Sequence, residues 1–313
     1  MNCDTVYEKT ALLRGNIERV IIGKRDVINL GIVCLLAEGH LLVEDVPGVG
    51  KSMLAKAIAK SISGSTKRIQ FTPDLLPSDV TGAMIYNQRD QSFVFKKGPV
   101  FANIILADEI NRATPRTQSS LLEAMEERQV TIDGETHELQ RPFFVIATQN
   151  PIEFEGTYPL PISQLDRFMI KTRFGYLGRD DEVRMLRERK DVSPLDGIGA
   201  VMTTAEICEM QDVVRQVKVE DSLYDYVVSI VAATRASEQL ALGASSRTTL
   251  RLFRAAQARA LVEKRNYVIP DDVKAVAGPV LAHRVIVKAP VQYRGQPSES
   301  VLNDILNQVA VPY

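Results

Sequence analysis

Cysteine and histidine are scarce in this chain of 313 residues, three of each, and neither is clustered. Cys3, Cys34 and Cys208 form no C-x-x-C pair and are odd in number, which argues against a disulfide framework or a zinc knuckle. His40, His137 and His283 have no metal-ligand spacing. Long apolar runs are missing too. The longest, Ile28 to Ala37, is interrupted by Asn29 and Gly31 and falls short of the roughly 20 residues a membrane-spanning helix needs. Met1-Asn2-Cys3-Asp4-Thr5 lacks the basic and apolar regions of a signal peptide, so no transmembrane segment and a reducing cytoplasm are expected. Excess charge is absent as well: a formal net charge of -1 offers no general attraction to nucleic acid or to anionic membranes. No internal repeat or low-complexity tract is visible.

What the chain does have is ordinary globular composition, 45% hydrophobic and 25% charged, at a length that leans toward two domains. Within it stands Asp45-Val46-Pro47-Gly48-Val49-Gly50-Lys51-Ser52, between the apolar run Leu41-Leu42-Val43 and a helix-favouring stretch that begins at Met53. Strand, glycine loop and helix in that order is the context of a phosphate-binding loop. Backbone N–H groups and the helix N-terminus would converge on phosphate oxygens, Lys51 would neutralise the β/γ oxygens, and the Ser52 hydroxyl would hold Mg²⁺. Asp45 stands where the general pattern has glycine.

Asn103 to Glu109 is an apolar run that ends in two carboxylates, the pattern of a buried parallel strand delivering acids at its C-terminal edge. Asp108 would hold Mg²⁺ through water, and Glu109 would polarise an attacking water. Phe143 to Thr148 reads as another buried strand, ending on Gln149-Asn150-Pro151, so that Asn150 could orient that water or simply form a turn. Two hairpins are expected, at Met84–Phe95 around a polar turn and at Val130–Leu139 around Asp133-Gly134. Met169 to Phe174 is the last expected strand. Gly175, Gly178 and the polar stretch from Arg187 to Gly199 mark a boundary, beyond which the pattern turns helical. The expected organisation is an α/β domain over residues 1–177, a linker over 178–200 and a helical domain with a short tail over 201–313.

These residues resemble AAA+ ATPases, and more closely the MoxR family. The resemblance is carried by Gly39 to Ser52, Asp108-Glu109-Ile110-Asn111-Arg112-Ala113, Ala147-Thr148-Gln149-Asn150-Pro151, Leu165-Asp166-Arg167-Phe168 and Gly243-Ala244-Ser245-Ser246-Arg247. It implies an AAA+ core with a parallel sheet and inserted hairpins, followed by a smaller all-helical lid. It further implies that Ile22 and Gly23 lie along the adenine of ATP, that Asn150 is sensor 1 and that Arg247 is sensor 2. Arg167 resembles the arginine finger offered to a neighbouring subunit, with Arg112 and Arg116 as rivals. The two hairpins resemble the helix-2 insert and the pre-sensor-1 hairpin. Departures from the pattern are Asp45 and Ser246, the latter where the family often has proline.

The function this implies is Mg²⁺-dependent ATP hydrolysis in a ring, of six copies by the resemblance, driving chaperone-like remodelling, assembly or metal-insertion activation of a partner with a von Willebrand A domain. A nucleotide-gated scaffold with marginal turnover is the alternative. A nucleic-acid motor is the weakest reading, because the second hairpin carries Asp133, Glu135 and Glu138 rather than interleaved basic and aromatic residues.

Overall fold

The structure, a computed structural model, describes residues 1–46, 48–150, 156–188, 193–292 and 297–312. Two helices open the chain, α1 (Cys3–Glu18), capped by the Asn2 side chain, and α2 (Arg25–Leu36). Strand β1 (Leu41–Glu44) leads through the glycine loop into α3 (Lys51–Ser61), followed by β2 (Ile62–Ser63) and β3 (Thr66–Gln70). The short helix α4 (Pro77–Thr81) precedes a hairpin of β4 (Gly82–Asn87) and β5 (Ser92–Lys97). Next come β6 (Ile104–Asp108), α5 (Pro115–Glu127), and a second hairpin of β7 (Gln129–Ile132) and β8 (Glu135–Glu138). Asp133 and Gly134 turn this hairpin with φ of 49° and 83°, as Asp-Gly does in a tight hairpin turn. Then β9 (Phe144–Gln149), α6 (Ile162–Leu165) and β10 (Ile170–Thr172) complete the α/β part.

Five of these strands form one parallel sheet in the order β10-β1-β9-β6-β3. Because all five run the same way, their C-terminal ends share one edge, with Gln70 opposite Asp108 and Glu44 opposite Gln149. Successive side chains alternate between two cores, as strand geometry requires. Leu41, Val43, Ile104 and Leu106 face one, and Leu42, Ile105, Val145 and Ala147 face the other. Both faces of β1, β6 and β9 are therefore covered, which explains why these three strands read as apolar runs, while the edge strand β3 is mostly exposed.

The remainder is mostly helical: α7 (Arg179–Glu188), β11 (Met202–Thr203), α8 (Thr204–Val214), α9 (Asp221–Ala236), β12 (Leu240–Leu242), α10 (Ser246–Val262), α11 (Pro270–Leu281), β13 (Ile286–Val287), α12 (Ala289–Gln292) and α13 (Ser298–Gln308). The stretch 178–200, expected as a linker, instead contains α7 and a 3-10 turn at Pro194–Gly197. No residue of α7 is buried, so its composition resembles that of a linker although its Asp180, Asp181 and Glu182 suit a helix N-terminus.

The helical part packs against the chain's own beginning. Val6, Ile28, Ile207, Leu252 and Val276 belong to the same buried cluster as β1. Gln211 donates to the Leu35 carbonyl at 2.9 Å, Asn16 to the Gly199 carbonyl at 2.9 Å, and β11 pairs in parallel with β2. One core thus crosses the boundary drawn from composition.

Candidate nucleotide site

The C-terminal edge of the sheet gathers most of the residues expected to handle phosphate. Gly50 is the N-cap of α3 with φ of 106°, a conformation that only glycine adopts without strain, so it lets Lys51 start the helix directly after the loop. The Lys51 ammonium rests on two strand-end carbonyls, Asp45 at 2.5 Å and Gln149 at 3.1 Å. Ser52 Oγ donates to Asp108 Oδ2 at 3.1 Å, and Thr148 Oγ1 donates to Asp108 Oδ1 at 2.6 Å. Burial works against charge on Asp108, but hydrogen bonds from Thr148, Arg68 and Ser52 outweigh it and hold the carboxyl below its usual range. A hydroxyl beside an ionised carboxylate is a donor set suited to Mg²⁺, which takes one or two protein oxygens and fills its shell with water and phosphate.

Three members of this cluster escaped the sequence reading. Arg68 donates to Asp108 Oδ2 at 2.8 Å, Gln70 donates to Glu109 Oε2 at 2.9 Å, and Thr148 Oγ1 accepts from the Glu109 amide at 2.9 Å. Arg112 also pairs with Glu109, at 3.1 Å. Glu109 itself has φ of 56°, a left-handed backbone uncommon outside glycine and often found at functional positions. Asn150 is buried at the tip of β9, and its carbonyl accepts from Asn111 at 3.2 Å. Arg116 is exposed on the first turn of α5. Pro47 and Pro151 lie outside the described residues.

Beside the loop is an open cleft of about 260 Å³. Ile22 lines it together with Ile21 and Lys24, Gly48 to Gly50 and Met53 form the loop side, and Phe174 to Leu177 form the opposite wall. Glu182 and Met185 of α7 close it, a role for the stretch that composition marked as linker.

Arg167 and Arg247 are not at this edge. Arg167 immediately precedes Phe168 and Met169, and the Met169 amide donates to His40, where β1 begins rather than ends. There Arg167 is ion-paired with Glu126 at 3.0 Å, and Arg247, from the start of α10, pairs with the same carboxylate. The segment is strapped from the helical part. Buried Arg284 donates to Asp166 Oδ1 at 2.6 Å and to the carbonyls of Asp166, Phe168 and Met169, and His283 sits against the Phe168 carbonyl at 3.0 Å.

A parallel sheet with a glycine loop after its second-position strand, paired acids on the next strand but one and a helical part behind defines an AAA-type ATPase. Comparison with known proteins agrees. Residues 40–170 match the family "ATPase family associated with various cellular activities (AAA)", and residues 232–305 match the AAA lid domain. The chain is 49% identical to "Uncharacterized protein YeaC" of Bacillus subtilis, over 95% of this chain and 93% of that one. It is 43% identical to "Chaperone MoxR1" of Mycobacterium tuberculosis, over 95% of this chain and 80% of that one. A crystal structure from Cytophaga hutchinsonii superposes with a TM-score of 0.88 at 38% identity, covering 99% of both chains. The chain belongs to the MoxR family of AAA+ ATPases.

Proposed function

We propose that this chain binds ATP with Mg²⁺ and hydrolyses it at a site shared between two copies, and that a ring of copies, six by family resemblance, uses the turnover to remodel a partner protein in the cytoplasm. One observation carries the shared site: Arg167 and Arg247 converge on Glu126 at the sheet edge opposite the phosphate loop of their own chain. Their planar forks are suited to the oxygens of a transferring phosphoryl group, and a neighbouring copy's nucleotide is the phosphate they can serve. Arg112, paired with Glu109 of its own chain, is the weaker candidate for that task.

In the loop's own copy, Lys51 would exchange its two carbonyls for phosphate oxygens, Glu109 would draw a proton from the attacking water, and Asn150 would align that water. Mg²⁺ held by Ser52 and Asp108 supplies charge neutralisation when bound. Adenine would occupy the cleft beside Ile22 and Gly23, against the loop residues Asp45 to Met53. Residues 1–177 and 201–313 are the nucleotide-binding and lid units in this reading, with 178–200 between them. The name of the M. tuberculosis relative supports a chaperone role. By the resemblance to this family, the partner would be one with a von Willebrand A domain.

Lys51→Ala is expected to abolish tight ATP binding, whereas Glu109→Gln and Arg167→Ala keep binding and lose turnover, the latter by on the order of 10³-fold. Mixing Lys51→Ala with Arg167→Ala should restore part of the activity, because some interfaces then pair an intact loop with an intact arginine. Subunit exchange is verified by co-purification with two tags. If exchange occurs without rescue, Arg167 is not the finger. If the assembled parent turns over only marginally, the nucleotide-gated scaffold replaces this reading.

A further inference from the structure

The phosphate loop begins with a carboxylate where the general pattern has glycine, and the backbone there has no need of glycine. Positive φ values in the loop fall at Gly48 and Gly50, while Asp45 has none. What Asp45 adds is a side chain with two well-placed oxygens. Oδ1 accepts from the Val46 amide at 2.7 Å, within the loop, and Oδ2 accepts from the Gly175 amide at 2.6 Å, across the cleft wall. Gly175 follows β10 in an exposed, left-handed conformation with φ of 62°, and with Phe174, Tyr176 and Leu177 it lines the cleft beside the loop. Lys24 holds the next residue of the same wall, donating to the Tyr176 carbonyl at 2.8 Å. Asp45 is itself tied to the sheet, because its amide donates to Gln149 and its carbonyl accepts from Lys51.

We propose that Asp45 is a positioning residue that latches the phosphate loop to the base-binding wall, so that base and polyphosphate are recognised by one rigid unit. The inference rests on the reading of this site as an ATP site. Each amide donates to an ionised acceptor, the stronger class of hydrogen bond, and neither geometry survives removal of the carboxylate. Replacing Asp45 by the glycine of the general pattern therefore impairs the site instead of improving it. The wall is freed from the loop, while the glycines, Lys51 and Ser52 that cradle phosphate remain. A ligand with a base loses affinity, and a ligand that is only phosphate does not.

The test compares dissociation constants for ATP and for inorganic tripolyphosphate in the full chain. Asp45→Gly is expected to weaken ATP by about tenfold or more, the scale of one charged hydrogen bond, with tripolyphosphate changed by less than about threefold. Asp45→Asn, which keeps one acceptor oxygen, should fall between the parent and Asp45→Gly, and it carries the test if the glycine variant does not fold. With saturating ATP the turnover number should stay near the parent's while KM rises. Equal losses for both ligands would mean that Asp45 merely shapes the loop, and no loss for either would remove the latch; both outcomes overturn the proposal. A parent that binds tripolyphosphate and ATP equally overturns it too, and a parent that binds neither removes the ATP reading along with it.

Discussion

The Asp108 carboxylate accepts from Thr148, Ser52 and Arg68 together, so a divalent cation arriving beside Ser52 meets a guanidinium already seated on Oδ2. Arg68 is about half exposed, and its pairing is weakened by solvent screening. Arg68→Gln is expected to lower the Mg²⁺ concentration for half-maximal ATP hydrolysis by a few-fold, as one competing charge is removed. A titration with the midpoint unchanged or raised would count against this competition. Asp108 and Glu109 were legible in the sequence because a strand's apolar run ended on them. Arg68 and Thr148 were not: each meets Asp108 from 40 residues away in the chain, on strands whose order no local pattern encodes. The roles of Arg167 and Arg247 came only through resemblance, and Glu126, which joins them, was not anticipated.

At the scale of elements, His40 fastens the start of β1 to its surroundings. Its Nδ1 accepts from the Val145 amide at 3.1 Å, which leaves Nε2 to donate to the Met125 carbonyl at 3.1 Å, so the neutral ring serves both β9 and α5. Burial pushes its pKa down to about 3, and burial likewise pushes His283 well below its ordinary value. From about pH 6.5 downward the unfolded chain therefore takes up protons that the folded chain refuses, and stability falls as pH falls. The expected slope is about 1.4 kcal/mol per pH unit for each such histidine in that window, and there is no contribution above it. Denaturant midpoints between pH 7 and 5 measure this, and His40→Gln should show the shallower slope of one fewer proton. An unchanged slope would remove His40 from the account. Most elements here were readable from apolar patterning, including the helices of the second half, and the hairpins also from their turns, the second from Asp133-Gly134. Helix α7 was missed for a physical reason: it buries nothing, so it lacks the one signal that distinguishes a helix from a connector.

For the whole molecule, the continuous core matters more than the change from strands to helices. Helix α2 packs between β10 and helices α8 and α10, and α1 between α3 and α10, so neither part closes this shared core alone. The full chain should unfold in one calorimetric transition, and a fragment of residues 1–200 should lack a cooperative transition and bind a hydrophobic dye. Two resolved transitions, one of them retained by the fragment, would restore independent domains. Composition could not reveal this, since periodicity tells which face of a helix is apolar but not what covers it. Under the proposed shared site, Glu126 would, finally, work as a comparator. Two guanidiniums rest on its carboxylate, with Asp166 also 3.9 Å from Arg247, and only a ligand that offers more negative charge than these acids would draw them away. Under the shared-site arrangement a neighbour's γ-phosphate exceeds the standard and a diphosphate falls closer to it, so cleavage returns both arginines to Glu126. Each subunit of the proposed assembly would thereby sense its neighbour's hydrolysis as a change in the balance of two competing anions, with no segment of its own needing to unfold.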